Sequence, residues 1–265
     1  MTSEHSRPLR LAHRGAGGYV KENTVEAFQW AVDHRERVDG VELDVFVSQD
    51  GEAVIHHDPV TKEGGLEMAS HSAGELWEKT SVPTLRQVLR LCLQGGLKMV
   101  VVELKGENTP HPVAAVFSEL LEEFGTERVF SSLRISGFLH DVIDAFGAIE
   151  AFSAIPRAYT ASVCSDELID RAVQHGITDL HLHQRNVDAD LVNKIHQHKL
   201  KLMTYSSGTI QESGMKKKLV LSSLLLFSPP LIMVSFLLFK EEILNHVKSL
   251  QPDFYCLNDP ISELL

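Results

Sequence analysis

Residues 40–47 read Gly-Val-Glu-Leu-Asp-Val-Phe-Val, an apolar run that carries two carboxylates. Side chains alternate between the two faces of a β-strand, so Glu42 and Asp44 would point to the same side. A second apolar run, Met99–Leu104, carries Glu103 near its end, and Lys105 follows at the same spacing. Short and almost continuously apolar runs are typical of strands in a parallel sheet that is covered on both faces.

Apolar runs of this kind alternate with amphipathic stretches along nearly the whole chain. Strands separated by helices indicate βαβ units, and eight such strands favour an α/β fold of the (β/α)8 TIM barrel type over an open doubly wound sheet. We find no internal repeat or interdomain linker, so residues 1–265 are predicted to form a single domain. The predicted strands are Leu9–His13, Gly40–Val47, Met99–Leu104, Val129–Leu133, Ile149–Ala154, Asp179–His183, Leu200–Tyr205 and Asp253–Leu257. The predicted helices are Thr24–Glu36, Thr84–Leu93, Pro112–Phe124, Gly137–Phe146, Ser165–His175, Asp188–His198 and Glu241–Leu250.

The composition is that of a globular protein large enough to bury its own core. Of the 265 residues, 43% are hydrophobic and 23% are charged, and the formal net charge is −11. An acidic chain is a poor match for a nucleic-acid backbone, so we expect no nucleic-acid partner. The three cysteines are widely spaced and fit reduced thiols. Because the N-terminal residues also lack an apolar leader, a cytoplasmic location is expected.

The alternation of strands and helices is interrupted after the second predicted strand. Asp50-Gly51 lies between two apolar runs, which favours a tight reversal of the chain. This small inserted turn region would lead the chain back along the second strand. The reversal would place His57 close to that strand's end.

A second interruption lies between the seventh and eighth predicted strands. Residues 219–239 carry no charge and follow Lys216–Lys218, a pattern that suits a membrane span. Pro229 and Pro230 would break such a helix midway. We therefore interpret 215–239 first as an atypical apolar insertion outside the barrel, second as a membrane-surface anchor that would contact the membrane through 219–239, and third as a true span. Its composition is also compatible with non-native sequence.

Three carboxylates lie near the C-terminal ends of predicted strands, where barrel enzymes have their catalytic residues. Polar side chains at the C-terminal ends of barrel strands are typical of catalytic groups, and Glu42, Asp44 and Glu103 would converge there. Carboxylates this close repel one another unless a cation lies between them, and a set of oxygen ligands favours Mg²⁺ or Ca²⁺ over zinc. Solvated strand ends or surface ion pairs are the alternative, but the apolar flanking residues disfavour it. The sequence thus predicts a site for one divalent cation.

Two histidines and two cationic side chains flank this predicted metal site. His13 ends the first strand and His57 follows the reversal. Histidine titrates near neutral pH, so one imidazole can accept a proton from the nucleophile while the other donates one to the leaving oxygen. Arg14 and Lys105 supply positive charge suited to the non-bridging oxygens of a phosphate. This combination favours phosphoryl transfer.

Several short motifs follow one another in a fixed order. They are His13-Arg14-Gly15, Glu22-Asn23-Thr24, Gly40–Val45, Asp50-Gly51, His57-Asp58, Pro83-Thr84-Leu85 and Glu103-Leu104-Lys105. In this order they resemble the glycerophosphodiester phosphodiesterase family, over about residues 9–210 and again near 240–260. The resemblance implies a metal-dependent barrel enzyme that hydrolyses glycerophosphodiesters to glycerol 3-phosphate and an alcohol.

The resemblance also implies a role for each residue that matches a family motif. The acid–base pair would be His13 and His57, the metal ligands Glu42, Asp44 and Glu103, the phosphate-binding residues Arg14 and Lys105, and the supporting residues at the mouth Glu22 and Asn23. Met203 stands where the family usually has a tryptophan, which leaves the choice of substrate open. His181 and His183 share a face of the sixth strand, but a structural role explains them equally well, and they are not assigned to the site.

Two alternatives stay open at this level. The first is a lysophospholipase D that acts on lysophospholipids, which an apolar segment at 219–239 facing lipid would favour. The second is a catalytically impaired barrel that serves as a binding protein, which would result if the 215–239 insertion prevented the barrel from closing.

Overall fold

A computed structural model describes residues 8–205 and 253–257 of the chain. The strands are β1 (Leu9–Ala12), β2 (Gly40–Val47), β3 (Ala53–Ile55), β4 (Met99–Leu104), β5 (Leu133–Gly137), β6 (Arg157–Ala161), β7 (Asp179–His183), β8 (Lys201–Tyr205) and β9 (Phe254–Leu257). The helices in these ranges are α1 (Val25–Asp33), α2 (Ala73–Thr80), α3 (Leu85–Gln94), α4 (Pro110–Phe124), α5 (Thr126–Ser132), α6 (His140–Gly147), α7 (Asp166–Gln174) and α8 (Ala189–Gln197). Short 3₁₀ helices lie at Met68–Ser70, Glu150–Phe152 and Gln184–Asn186.

Eight parallel strands close into a barrel. β1 pairs with β2 on one side and with β9 on the other, and the remaining neighbours follow in the order β2, β4, β5, β6, β7, β8 and β9. β3 runs antiparallel to β2, with Val54 opposite Phe46. Gly51 takes a φ of 82° in the turn between them, a conformation that glycine adopts without steric cost. The predicted barrel and the predicted reversal are both confirmed.

Helices cover the outside of the barrel by presenting an apolar stripe to the strands, as α3 illustrates. Thr84 caps its first turn, where the side-chain oxygen accepts a hydrogen bond from the backbone N–H of Gln87 at 3.3 Å. Leu85, Val88 and Leu89 share one face at helical spacing and are fully buried. Burial of each such side chain contributes about 1.5–3 kcal/mol to the free energy of folding.

The fourth and fifth predicted strands were wrong in position. Residues 129–132 belong to α5, and the strand begins at Leu133; residues 150–152 form a 3₁₀ helix, and the strand begins at Arg157. β5 carries a polar residue at every second position and β6 carries Thr160 in a short mixed run, because both strands point polar side chains such as Ser136 and Thr160 into the barrel. The continuously apolar runs chosen from the sequence instead supply Val129 and Phe152 to the core between helices and barrel.

The connection from β3 to α3 is larger than a turn and contains α2, a helix that was not predicted from the sequence. Ser72 and Glu75 form a reciprocal capping box at the start of this helix. Leu76 and Met68 pack with Val54 in a small separate apolar cluster. Because α2 is short and mostly polar, its hydrophobic periodicity spans too few turns to identify it.

The predicted insertion at 215–239 and the predicted helix Glu241–Leu250 lie outside the described residues. Within the described ranges, no helix combines the length and the apolar character that crossing a bilayer requires. Cys92, Cys164 and Cys256 are free thiols, as expected, and burial raises the pKa of Cys92 to about 12.

Candidate active site

The polar side chains predicted to act in catalysis surround one cavity at the C-terminal ends of the barrel strands. The cavity has a volume of about 200 Å³. A larger cavity of about 680 Å³ adjoins it, and His13, Arg14 and His57 line both. The residues of the smaller cavity are His13, Arg14, Glu42, Asp44, His57, Glu103, Lys105, Phe138, Thr160, Ser162, His181, His183, Met203, Tyr205 and Cys256.

The three predicted metal ligands converge in this cavity. Asp44 and Glu103 are direct neighbours in the parallel register of β2 and β4, and Glu42 lies two residues before Asp44 on the same face. One carboxylate oxygen from each residue lies within 4.8 Å of the others. Glu42 and Asp44 are 4% and 2% exposed, so bulk solvent does little to stabilise their negative charges.

The pKa values of these carboxyl groups follow from burial and from their neighbours. Burial raises the pKa of Glu42 well above its ordinary range, and the charges of Asp44 and Glu103 raise it further. Burial and Asp44 likewise raise the pKa of Glu103. Burial acts in the same direction on Asp44, but Lys105 and Arg14 outweigh it, so the pKa of Asp44 is lowered. Burial and neighbouring negative charge thus disfavour the ionised forms of Glu42 and Glu103, whereas the two cations favour the ionised form of Asp44.

Two cations lie directly against the carboxylate cluster. Lys105 Nζ donates a hydrogen bond to Glu103 Oε1 at 2.7 Å and lies 3.1 Å from Asp44 Oδ1. Arg14 Nε lies 3.3 Å from Asp44 Oδ2, and the backbone N–H of Arg14 donates to Glu42 Oε2 at 3.2 Å. The positive charges therefore border the cavity at the same place as the negative ones.

An unusual backbone conformation brings the β1–α1 loop to the cluster. Arg14 and Asn23 have φ values of 54° and 56°, in the left-handed region that residues other than glycine seldom adopt. The N–H of Asn23 donates to the carbonyl of Arg14 at 2.9 Å, which closes the loop on itself. Gly15 has a φ of 90°, and a Cβ atom there would lie 2.9 Å from the Cβ of Ala27. Strained residues held by their surroundings are concentrated at functional sites.

Both predicted acid–base histidines line the cavity. His13 Nε2 lies 3.7 Å from Glu42 Oε2. His57 Nδ1 lies 2.9 Å from Asp58 Oδ1, a contact that orients the ring. The adjacent His56 instead contacts the carbonyl oxygen of Asp58 at 2.7 Å and lines only the larger cavity among those described. His56 therefore does not line the cavity that holds the carboxylate cluster.

The structure brings seven of the nine predicted site residues to the smaller cavity and places the other two, Glu22 and Asn23, beside it in the larger one. Glu22 Oε2 accepts a hydrogen bond from Arg14 Nη1 at 3.0 Å. The uncharged half of the cavity, from Phe138 to Cys256, was not assigned from the sequence. The alternation along β6 and β7 was the available signal, since it places Thr160 and His181 on the lumen face.

The carboxylate cluster suits a divalent cation. It offers oxygen donors from three side chains, held close together in a largely buried position where burial and the charge of Asp44 raise the pKa of both Glu42 and Glu103. A hard cation bound by carboxylates would remove that repulsion. The residues present therefore fit the predicted kind of metal site.

Comparisons of the sequence and of the structure with known proteins point to the same family. The profile of the glycerophosphoryl diester phosphodiesterase family matches residues 13–221. A glycerophosphodiester phosphodiesterase from Bacillus altitudinis is 32% identical over 152 residues, a match that covers 51% of this chain and 60% of that relative. The match thus spans little more than half the length of this curated relative.

Two solved structures share the fold over most of the chain. A glycerophosphodiester phosphodiesterase from Thermotoga maritima is 20% identical, with a TM-score of 0.66 and coverage of 97% of both chains. A phosphodiesterase from Oleispira antarctica, determined in complex with the product sn-glycerol-3-phosphate, is 25% identical with a TM-score of 0.65. That match covers 80% of this chain and 89% of the other.

Proposed function

Because the chain belongs to the glycerophosphoryl diester phosphodiesterase family, we propose that it hydrolyses glycerophosphodiesters to sn-glycerol 3-phosphate and an alcohol. The observation that carries this proposal is one cavity that collects three carboxylates, the imidazoles of His13 and His57, and two cations. The Oleispira antarctica phosphodiesterase, whose product is sn-glycerol-3-phosphate, supports the same product here.

We assign Glu42, Asp44 and Glu103 to one divalent cation, Mg²⁺ or Ca²⁺. When bound, this ion would polarise the phosphodiester and offset the negative charge that develops on its oxygens. Both ions prefer oxygen ligands and tolerate water in the remaining positions, so the three carboxylates are compatible with either.

Arg14 and Lys105 would bind the non-bridging oxygens of the phosphate. Their side chains border the carboxylates and remain 18% and 17% exposed, so they can reach a ligand in the cavity. Guanidinium and ammonium groups donate charge-assisted hydrogen bonds to phosphate. Because the ion pairs with Asp44 already hold both side chains in position, little reorganisation is needed when the substrate arrives.

His13 and His57 would exchange the protons of the reaction. Asp58 engages Nδ1 of His57, which leaves Nε2 as the atom that can accept or donate a proton at the substrate. One imidazole would take the proton from the nucleophile, and the other would give a proton to the departing alcohol. The nucleophile is either water, which gives glycerol 3-phosphate directly, or the neighbouring glycerol hydroxyl, which gives a cyclic phosphate that water then opens to glycerol 3-phosphate. His13 Nε2 lies 3.7 Å from Glu42 Oε2, so this ring borders the proposed metal ligands.

The larger cavity favours a polar alcohol over an acyl chain. Charged side chains line it, including Lys21, Glu22, Lys62 and Glu63. Binding of an acyl chain to such a surface would contribute little favourable free energy, since the charged groups would lose their solvation. We therefore favour small glycerophosphodiesters over lysophospholipids as substrates.

A direct assay tests this function. Purified protein would be supplied with Mg²⁺ or Ca²⁺ and given glycerophosphocholine or lysophosphatidylcholine, with release of glycerol 3-phosphate or lysophosphatidic acid as the readout. We expect turnover of glycerophosphocholine that requires the added ion. Absence of product with both ions would refute the activity, whereas a preference for the lysolipid would refute the substrate assignment.

A further inference from the structure

Two buried polar groups on the uncharged side of the smaller cavity have no protein partner among the described residues. They are Nε2 of His181 and Oγ1 of Thr160. His181 is 1% exposed and Thr160 is 3% exposed, and both line the cavity. An unmet hydrogen-bonding group in a protein interior is costly, so its retention requires a reason.

The two groups lie side by side. Thr160 on β6 and His181 on β7 are paired in the parallel register, and neighbouring strands are about 4.8 Å apart. Both side chains face the barrel lumen at the end of the strands that carries the carboxylates. A single small polar group could therefore contact both.

We propose that His181 and Thr160 form a subsite that binds a hydroxyl group of the substrate's glycerol moiety and so selects glycerol-containing phosphodiesters. This inference rests on the proposed function, which it deepens by naming residues that would recognise the glycerol. Neither residue is assigned to proton transfer or to metal binding.

The chemistry of the subsite matches a hydroxyl group better than it matches an ion. Burial, with a further effect of Arg134, lowers the pKa of His181 to about 3, so the ring is neutral. A neutral imidazole has one donor and one acceptor nitrogen, and a threonine hydroxyl can also donate or accept. An alcohol has the same dual character, whereas a phosphate offers only acceptors and is better served by Arg14 and Lys105.

The position of the subsite also fits a glycerol bound through its phosphate. The charged half of the cavity comes from β1, β2, β4 and the loop after β3, and the uncharged half comes from β5 to β9. A phosphate held by Arg14 and Lys105 would direct one of its ester groups toward Thr160 and His181. A group that lacks hydroxyls would leave both protein atoms unpaired, and sites of this kind reject such analogues.

Calorimetry with two phosphate monoesters tests the subsite without requiring turnover. Dissociation constants would be measured for sn-glycerol 3-phosphate and for propyl phosphate, which shares the phosphate but has no hydroxyl group, in the presence of Mg²⁺. We expect the unmodified protein to prefer glycerol 3-phosphate by about tenfold or more. His181→Phe and Thr160→Val should each reduce that preference, while His181→Gln, which keeps a donor and an acceptor, should retain more of it.

Ser136→Ala is the matched control. The Ser136 hydroxyl is also buried without a described partner, but Ser136 does not line the cavity. This variant should keep the full preference. Equal affinity of the unmodified protein for both ligands, or an unchanged preference in both His181→Phe and Thr160→Val, would overturn the subsite. If His181→Phe does not fold, Thr160→Val decides alone.

Turnover of glycerophosphocholine by the unmodified protein separates the two proposals. If the unmodified protein turns over glycerophosphocholine, but its preference for glycerol 3-phosphate over propyl phosphate does not depend on His181 and Thr160, the subsite is overturned and the proposed function stands. A preference that depends on these residues, without any turnover, supports the subsite and refutes the function.

Discussion

Asn23 donates a side-chain hydrogen bond to Oδ2 of Asp44 at 2.8 Å, and through this bond the β1–α1 loop holds a carboxylate that lies on β2. Asn23 is 4% exposed and adopts a left-handed backbone conformation, which asparagine tolerates better than most residues. The bond fixes one oxygen of Asp44 while Lys105 lies near the other. Asn23 is therefore a positioning residue for the predicted metal ligand.

Asn23→Ala should weaken metal binding. Loss of a partner that orients a ligand typically costs about 10–100-fold in metal affinity or activity. We expect the Mg²⁺ concentration for half-maximal activity to rise within that range, and kcat at saturating metal to recover in part. Asn23→Asp should be worse because it adds a negative charge beside Asp44. A metal dependence identical to that of the unmodified protein would exclude the positioning role.

Removal of a carboxylate from the cluster should abolish metal-dependent turnover. Glu42→Gln, Asp44→Asn and Glu103→Gln should each lower kcat/KM by about 100-fold or more, and calorimetry should detect weaker binding of Mg²⁺. Asp39→Asn is the matched control because Asp39 is also buried, but it pairs with Lys98 at 2.8 Å at the opposite end of β2. That variant should lose thermal stability and keep its metal affinity. Equal loss of affinity in Asp39→Asn would argue against a local site.

His57→Ala should reduce turnover much more than His56→Ala. Loss of a general acid or base typically lowers the rate by about 10²–10⁴-fold, and the substitution leaves the barrel core untouched. The neighbouring His56 contacts the backbone of Asp58 and supplies no proton to the reaction. Its replacement should therefore change the turnover rate by no more than about threefold. Rates and melting temperatures of both variants provide the comparison. Comparable activity in the two would remove His57 from the mechanism.

The stability of the metal-free protein should fall with rising pH because of Glu42. In the folded state the pKa of Glu42 is raised above 4.5, the ordinary value that applies in the unfolded state. At a pH between the unfolded-state pKa and the folded-state pKa, the folded protein therefore keeps a proton on Glu42 that the unfolded protein has released. Unfolding then releases a proton, and higher pH favours unfolding across that window. The melting temperature of the unmodified protein relative to Glu42→Gln should therefore decline as the pH rises above about 4.5. If the melting temperatures of the two proteins changed with pH in the same way, the raised pKa of Glu42 would be contradicted.

Added metal should reverse that pH effect. Mg²⁺ binds the ionised carboxylates of the folded protein and therefore stabilises it at neutral pH. The melting temperature should rise with Mg²⁺ concentration in the unmodified protein and rise less in Glu42→Gln. EDTA should remove both the stabilisation and the activity, and added Mg²⁺ or Ca²⁺ should restore them.

Deletion of residues 215–239 should leave a folded and active barrel. β8 and β9 are paired on either side of this region, with Met203 opposite Phe254, and β9 also pairs with β1. The deletion keeps every described residue that lines the smaller cavity. We expect one cooperative thermal transition and retained turnover; loss of both would mean that the segment is needed for folding.

A chain that ends at residue 252 is the complementary control. It lacks β9, so β1 and β8 would become open edges with unpaired backbone groups. Cooperative melting should be lost in this variant. A normal transition would indicate that closure of the barrel contributes little to stability.

Local sequence was enough to predict the barrel and its charged cluster. Alternation within Gly40–Val47 determines that Glu42 and Asp44 share a face, and in a parallel barrel the strand ends of β2 and β4 meet at the same rim. The shared face of Glu42 and Asp44 depends only on residues that are neighbours in sequence, and the shared rim depends only on the parallel direction of the strands. β7, which carries the unassigned His181, also lies where its local pattern predicts it, at Asp179–His183.

Other features depend on contacts between distant parts of the chain. β5 and β6 were misplaced because their polar lumen residues interrupt the apolar pattern, and only the packing of α5 and Phe152 outside the barrel explains the nearby apolar runs. Likewise, no local pattern indicates that Asn23 would bond Asp44 or that Thr160 would lie beside His181. Periodicity is a property of one strand, whereas the partner of a side chain is decided by how the closed barrel aligns its strands and loops.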